Sequence, residues 1–215
     1  MSRARIAVTT LTAVLGLVSL TSCSSSNSED DAGKPIAKQL GQGEITQALP
    51  GQGEILRGWD PYKEKSEREG QYCKNSGPKD DSAPQGFVRA GDADYLFQGS
   101  TRNMMEVAIC LFDTPENAKS AYTQWKGTEK DKEKAPTKTV GEETTLVMNP
   151  GLSSNTVHGF SRSGVVTIRV TADGMAQDTT GVEDMLTATL KRLQQVQDGK
   201  RATVTTADVA PKAEK

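Results

Sequence analysis

One histidine and three cysteines in 215 residues leave too few imidazole and thiolate groups for a transition-metal centre. Aromatic residues make up only 5% of the chain. Neither sign of charge dominates: 26 Lys+Arg against 28 Asp+Glu give a net charge of −2, without the basic excess a nucleic-acid binder needs. No G-x-S-x-G, H-E-x-x-H, P-loop or G-x-G-x-x-G pattern occurs, so no catalytic, metal or cofactor-binding residue is expected from a motif. The longest uncharged apolar run, Ile6 to Leu20, has 15 residues. As a helix it is about 22 Å long, short of a hydrocarbon core of about 30 Å.

That run follows Arg3 and Arg5 and has the proportions of an export signal. It ends in Leu20-Thr21-Ser22-Cys23, followed by a Ser-rich stretch. This resembles the lipobox of bacterial lipoproteins. The resemblance implies a diacylglycerol thioether on Cys23, cleavage before it, and a membrane partner reached through lipid. The plainer alternative is an ordinary signal peptide with a cysteine at its end. Loss of residues 1–22 removes two arginines and no acid, so the mature charge is −4. An acidic body is not drawn to an anionic bilayer by its charge, which leaves attachment to the acyl chains.

With Cys23 assigned to lipid, Cys73 and Cys110 form an even pair in an oxidising compartment. A disulfide between them stabilises by about 4 kcal/mol on the chain-entropy model; the alternative is two free buried thiols. Residues 24–35 are polar and read, with Cys23, as a flexible tether. The pentapeptide Gly-Gln-Gly-Glu-Ile occurs at 41–45 and again at 51–55. A short helix is expected over 45–49, stopped by Pro50-Gly51, and a first strand entry near Trp59.

The apolar run 104–112 predicts a strand, with shorter candidates at 87–88 and 95–97 on either side of Gly91-Asp92. A helix is expected over 114–126, with Thr114 as N-cap and Ala118, Ala121, Tyr122 and Trp125 on one face. Residues 128–138 read as a charged loop. Strands follow at 144–148, 156–162 and 165–171, the last two joined by Ser163-Gly164. The best helix spans 180–197, with Val182, Met185, Leu186, Leu190, Leu193 and Val196 as its apolar stripe and Gly199 just beyond its end. The expected fold is α+β: a mainly antiparallel sheet with two helices packed on one face, built from two strand-strand-helix halves. The domain is expected over 36–199, with 200–215 a disordered tail.

The cysteine-bearing strand, the TPENAKSAYTQW helix, VGEE, RSGVVTIRV and LKRL follow one another as they do in small actinobacterial lipoproteins. The same order resembles the extracellular sensor domain of a mycobacterial serine/threonine kinase. The resemblance covers roughly residues 85–197 and implies a binding or sensing role for an envelope protein or small ligand.

His158 alternates with apolar neighbours and reads as structural. The pairs Asp80-Asp81, Asp92 with Asp94, Glu142-Glu143 and Asp173 with Asp178 read as solvated turn residues. Tyr122 and Trp125 belong to the core, whereas Trp59 and Tyr62 are the candidate binding surface. The expected function is therefore a membrane-anchored, extracytoplasmic, non-enzymatic interaction domain. The alternatives are a cell-envelope hydrolase, which needs two acids converging in a cleft, and a carrier of an apolar ligand, which needs a large apolar pocket.

Overall fold

The computed structural model describes residues 33–74, 82–127, 132–151, 155–175 and 179–211. Its centre is an antiparallel sheet of eight strands among the described residues. The long strands are β3 (Phe87–Phe97), β4 (Ser100–Phe112), β6 (Glu143–Pro150), β7 (Asn155–Ser163) and β8 (Val166–Met175). The short strand β5 (Lys132–Lys134) borders β6. At the opposite edge, β1 (Trp59–Pro61) and β2 (Ser66–Arg68) both pair with β3, at 95–97 and 90–92 respectively. The lateral order is β1-β3-β4-β8-β7-β6-β5.

Strand β3 runs unbroken through Gly91-Asp92, where the sequence reads as two pieces separated by a turn. Gly91 is required there by close packing, since a Cβ would stand 2.9 Å from Ile45 Cγ2. The antiparallel α+β architecture agrees with expectation; the placement of the helices does not. Helix α3 (Thr180–Gln197) and helix α1 (Gln42–Ala48) lie on one face, over Met105, Val107 and Ile109 of β4 and Ile168 and Val170 of β8. Helix α2 (Pro115–Gly127) lies on the other, with Trp125 against Phe160 and Tyr122, Ala121 and Ala118 over Ala108 and Phe112. The reason is visible in β4, where residues of both parities from Val107 to Phe112 are buried. A strand apolar on both sides needs cover on both sides.

The helix ends are built as their sequences specify. Asn117 N–H donates to Thr114 Oγ1 at 3.2 Å, which caps α2. After α3, Gly199 is left-handed (φ +72°), its N–H donates to Val196 O, and Lys200 N–H reaches back to Gln195 O at 2.8 Å. That pair of bonds is the Schellman pattern. Both copies of the pentapeptide fold back in the same way. Gly41 N–H donates to Glu44 Oε2 at 2.7 Å and Gly51 N–H to Glu54 Oε2 at 2.6 Å. Only the first copy continues as a helix.

Residues 200–211 are not the disordered tail expected. Ala202 is buried and the short helix α4 (Thr206–Val209) carries a buried Thr206. The segment is held by Arg192 of α3, which donates to Val204 O at 2.9 Å and, on its other side, to Ala48 O at 2.9 Å and Gln47 O at 3.0 Å. A single guanidinium, 2% exposed, thus joins α1, α3 and the chain after α3, and it also pairs with Glu54 at 2.9 Å. Residues without hydrophobic periodicity are ordered here by polar ties to their backbone, with Arg192 helped by Gln195 Oε1, which accepts from Thr203 and Val204 N–H, and by Lys138, which donates to Val209 O.

Candidate functional site

The long strand β3 places Asp92 and Asp94 two residues apart, on the face of the sheet that carries α2. Register sets Asp94 opposite Glu106 of β4 and Asp92 opposite Ser66 of β2. The reading of Asp92 and Asp94 as solvated turn residues is therefore corrected: they are strand residues, and Asp92 is only 7% exposed. Their burial is compensated by partners far away in sequence. Ser66 Oγ donates to Asp92 Oδ1 at 2.5 Å, and Arg68 grips both oxygens of Glu106 at 2.8 and 2.9 Å. Arg169 of β8 adds a third bond to Glu106 at 2.8 Å, and Lys63 lies 3.8 Å from Asp94.

The two facing acids are driven in opposite directions. Burial pushes the Glu106 carboxyl up, but the guanidiniums of Arg68 and Arg169 outweigh it and hold the pKa down at about 2. Burial raises Asp94, and the neighbouring charges of Glu106 and Asp92 raise it further. Oxygens of Asp92, Asp94 and Glu106 lie within 4.8 Å of one another, a donor set of the kind that holds a hard cation. Arg68 and Arg169 already direct two positive charges at that set. Around it lies a groove of about 480 Å³, walled by Ser66, Arg68, Tyr72 and the two aspartates.

A second groove, of about 620 Å³, lies at the same edge of the sheet on the side of α3. Its floor is Ile55, Leu56 and Trp59, and its far wall is Ala207 and Ala210 of the α4 region. Trp59 is 9% exposed and tilts against Phe97 with ring centroids 5.6 Å apart. Thr206 N–H donates to Glu54 O at 3.1 Å, which fixes the wall to the floor. Arg57 and Asp60, both exposed, edge the groove and make no ion pair among the described residues.

The two residues singled out from sequence are thus separated. Trp59 lies in the second groove; Tyr62 does not line it but stands out at 45% exposure, with Lys63 Nζ 5.1 Å from its ring centroid. Cys73, in the 3₁₀ turn Gly70–Cys73, is disulfide-bonded to Cys110 of β4 with both residues buried. The bond fastens the segment that walls the acidic groove to the centre of the sheet. Cys23, Asp80, Asp81 and Asp178 lie outside the described residues. His158 is held by Thr171 and Asn149 at 3.1 and 3.3 Å and stacks on Phe160. Glu142 and Glu143 both pair with Arg162 at 2.8 Å, and Asp173 accepts from Thr156. Sequence reasoning missed Arg68, Glu106 and Arg169, because their meeting is set by strand register. The available signal was a charged residue, Glu106, inside an otherwise apolar strand.

No described helix is long and apolar enough to cross a membrane. No family model matches the sequence, and no curated protein matches it. Among solved structures, the fold is similar to the extracellular domain of PknH from Mycobacterium tuberculosis, with 13% identity and a TM-score of 0.45, covering 78% of this chain and 99% of that one.

Proposed function

We propose that this chain is a lipid-anchored, extracytoplasmic interaction domain without catalytic activity, which binds an apolar side chain of an envelope protein in the groove floored by Trp59. The observation that carries the reading is the groove itself. It is a concavity of about 620 Å³ whose base is Ile55, Leu56 and Trp59, edged by the exposed charges of Arg57 and Asp60. Recognition sites combine an apolar base with a few polar groups in this way. The export signal and the Leu20-Thr21-Ser22-Cys23 box support the location, and the Cys73–Cys110 bond suits an oxidising compartment.

The hydrolase alternative has the converging acids it requires, but their state argues against it. Both oxygens of Glu106 are taken by guanidiniums, and Asp92 is taken by Ser66. A nucleophile or base so neutralised is weakened for attack or proton removal. The carrier alternative needs open space between sheet and helix. Ile109, Ile168, Val170, Met185 and Leu186 fill that layer as one packed cluster.

The test is a photo-crosslinking residue in place of Leu56, introduced into the full chain in its native envelope. The expected result is a discrete protein adduct that disappears when exposed Ala207 is changed to Glu, which places a charge on the groove wall. An adduct unaffected by Ala207→Glu refutes the groove; hydrolysis of envelope glycan that is lost in Glu106→Gln refutes the non-enzymatic reading. Cys23→Ala should move the protein out of the membrane fraction, and unchanged detergent partitioning would sink the anchor.

A further inference from the structure

Segment 62–72 concentrates two properties that its folding role does not use. The first is charge. The groove on the α2 side carries Glu64, Glu67, Glu69, Asp92 and Asp94 against Lys63 and Arg68, an excess of three negative charges. The half-buried partners Glu106 and Arg169 cancel one another and leave that excess unchanged. Glu64, Glu67 and Glu69 are exposed, and none makes an ion pair among the described residues. The second property is aromatic. Among the described residues, the exposed large hydrophobic side chains are Tyr62 and Tyr72, at 45% and 49%.

The protein's own cations show what this environment accepts. Lys63 sits between the Tyr62 ring, 5.1 Å from its centroid, and Asp94, 3.8 Å away. Arg68 sits between the Tyr72 ring, at 4.9 Å, and the carboxylates of Glu106 and Asp92. Each cation combines a ring face with carboxylate oxygens, the pairing that best stabilises ammonium and guanidinium groups at a protein surface. The three outer glutamates extend the same environment beyond the cations already bound. The segment is also held in place: β2 is paired to β3, and Cys73 fastens its far end to β4. A preformed surface of this kind loses little freedom on binding.

We infer that the groove walled by segment 63–72 is a docking surface for a Lys/Arg-rich segment of a partner protein, whose cationic groups pair with Glu64, Glu67 and Glu69 while their stems lie against the exposed parts of the tyrosine rings that Lys63 and Arg68 leave uncovered. The inference rests on the reading of the chain as an interaction domain, but it concerns the other face of the sheet edge from the Trp59 groove.

The experiment uses the mature acylated protein in phosphatidylcholine vesicles and measures the anisotropy of fluorescent hexalysine. Saturable binding is expected at low salt, lost in 0.5 M NaCl. The variant Glu64→Gln/Glu67→Gln/Glu69→Gln, changed only at exposed positions, should weaken it about tenfold, and Tyr72→Ala should weaken it separately. A control triple, Glu116→Gln/Glu133→Gln/Asp198→Asn, removes the same charge elsewhere and should leave the affinity within twofold. Absence of saturable binding, or an equal loss in both triples, overturns the proposal, since the second result means attraction by net charge alone. Ala207→Glu should leave hexalysine binding unchanged, so failure of the Trp59 groove and failure of this surface are read separately.

Discussion

Replacing Arg192 by Met tests the claim that one guanidinium closes the fold. The side chain is 2% exposed and donates to Gln47 O, Ala48 O and Val204 O at 2.9–3.0 Å, besides pairing with Glu54. Methionine keeps the apolar stem and removes every donor. Leu49 O retains Lys65 at 2.5 Å, so three carbonyls lose a partner. At about 1 kcal/mol or more for each buried group left unmade, the loss is about 3–4 kcal/mol. Against a domain stability of about 5–15 kcal/mol this is large. With a urea m-value of about 2 kcal/mol/M, the midpoint should fall by about 1.5–2 M. Glu54→Gln is the internal comparison. Its side chain is about one-third exposed and the amide oxygen still accepts, so the loss should stay below about 1 kcal/mol. The assay is urea unfolding of the disulfide-intact protein, followed by far-UV circular dichroism. A loss under 1 kcal/mol for Arg192→Met, or one no larger than for Glu54→Gln, refutes the assignment of α1 and the segment after α3 to a common tie.

Glu106 has a folded pKa held near 2, against an ordinary 4.5, so the stability it contributes is complete above about pH 4.5 and is lost as the pH falls toward 2. Glu106→Gln should therefore be less stable than wild type at pH 7 by at most about 3 kcal/mol, with the two curves converging near pH 2; parallel curves across that range contradict the ion-pair geometry. Cys110→Ala, or reduction under unfolding conditions, should cost up to about 4 kcal/mol by thermal denaturation, and protein in which Cys73 and Cys110 both titrate as thiols would exclude the bond. Gly159→Ala should destabilise by about 1–3 kcal/mol, because the new Cβ would stand 2.5 Å from Val182 Cγ1 and 2.9 Å from Leu186 Cδ1 and so push α3 off the sheet. An unchanged melting temperature for that variant means that α3 does not approach β7 as described.

Local patterns carried much of the fold and little of the site. Helix α3 begins and ends where its apolar period and Gly199 indicate, and Thr114 starts α2, because those signals lie within a few residues of what they specify. Strand β3 was legible only as two fragments: Gly91-Asp92-Ala93-Asp94 has turn chemistry, and the partners that make it a strand, Ile45, Ser66 and Arg68, are 24 to 46 residues away. The two-sided cover of the sheet was implicit in the continuous apolar run of β4 but needed the second face to be recognised as buried. At the site, Trp59 was visible from its setting between Gly58 and Asp60-Pro61, whereas the opposite wall at Ala207 and Ala210 has no signature at all. Acid pairs were equally visible, but which of them would be buried depended on where strand register put Arg68 and Arg169.

The tie made by Arg192 also sets an order of events. Ala48 and Arg192 are 144 residues apart, and the strap carbonyl of Val204 comes later still. Synthesis, amino end first, delivers α1 long before the cation that satisfies the carbonyls at its carboxyl end. Until then α1, too short to persist alone, has no stable state to adopt. Contacts of such long range are slow to close. Ile45, Ala48 and Leu49 therefore lack their final cover until the sheet and α3 have formed, the part of the chain made first being among the last to be closed.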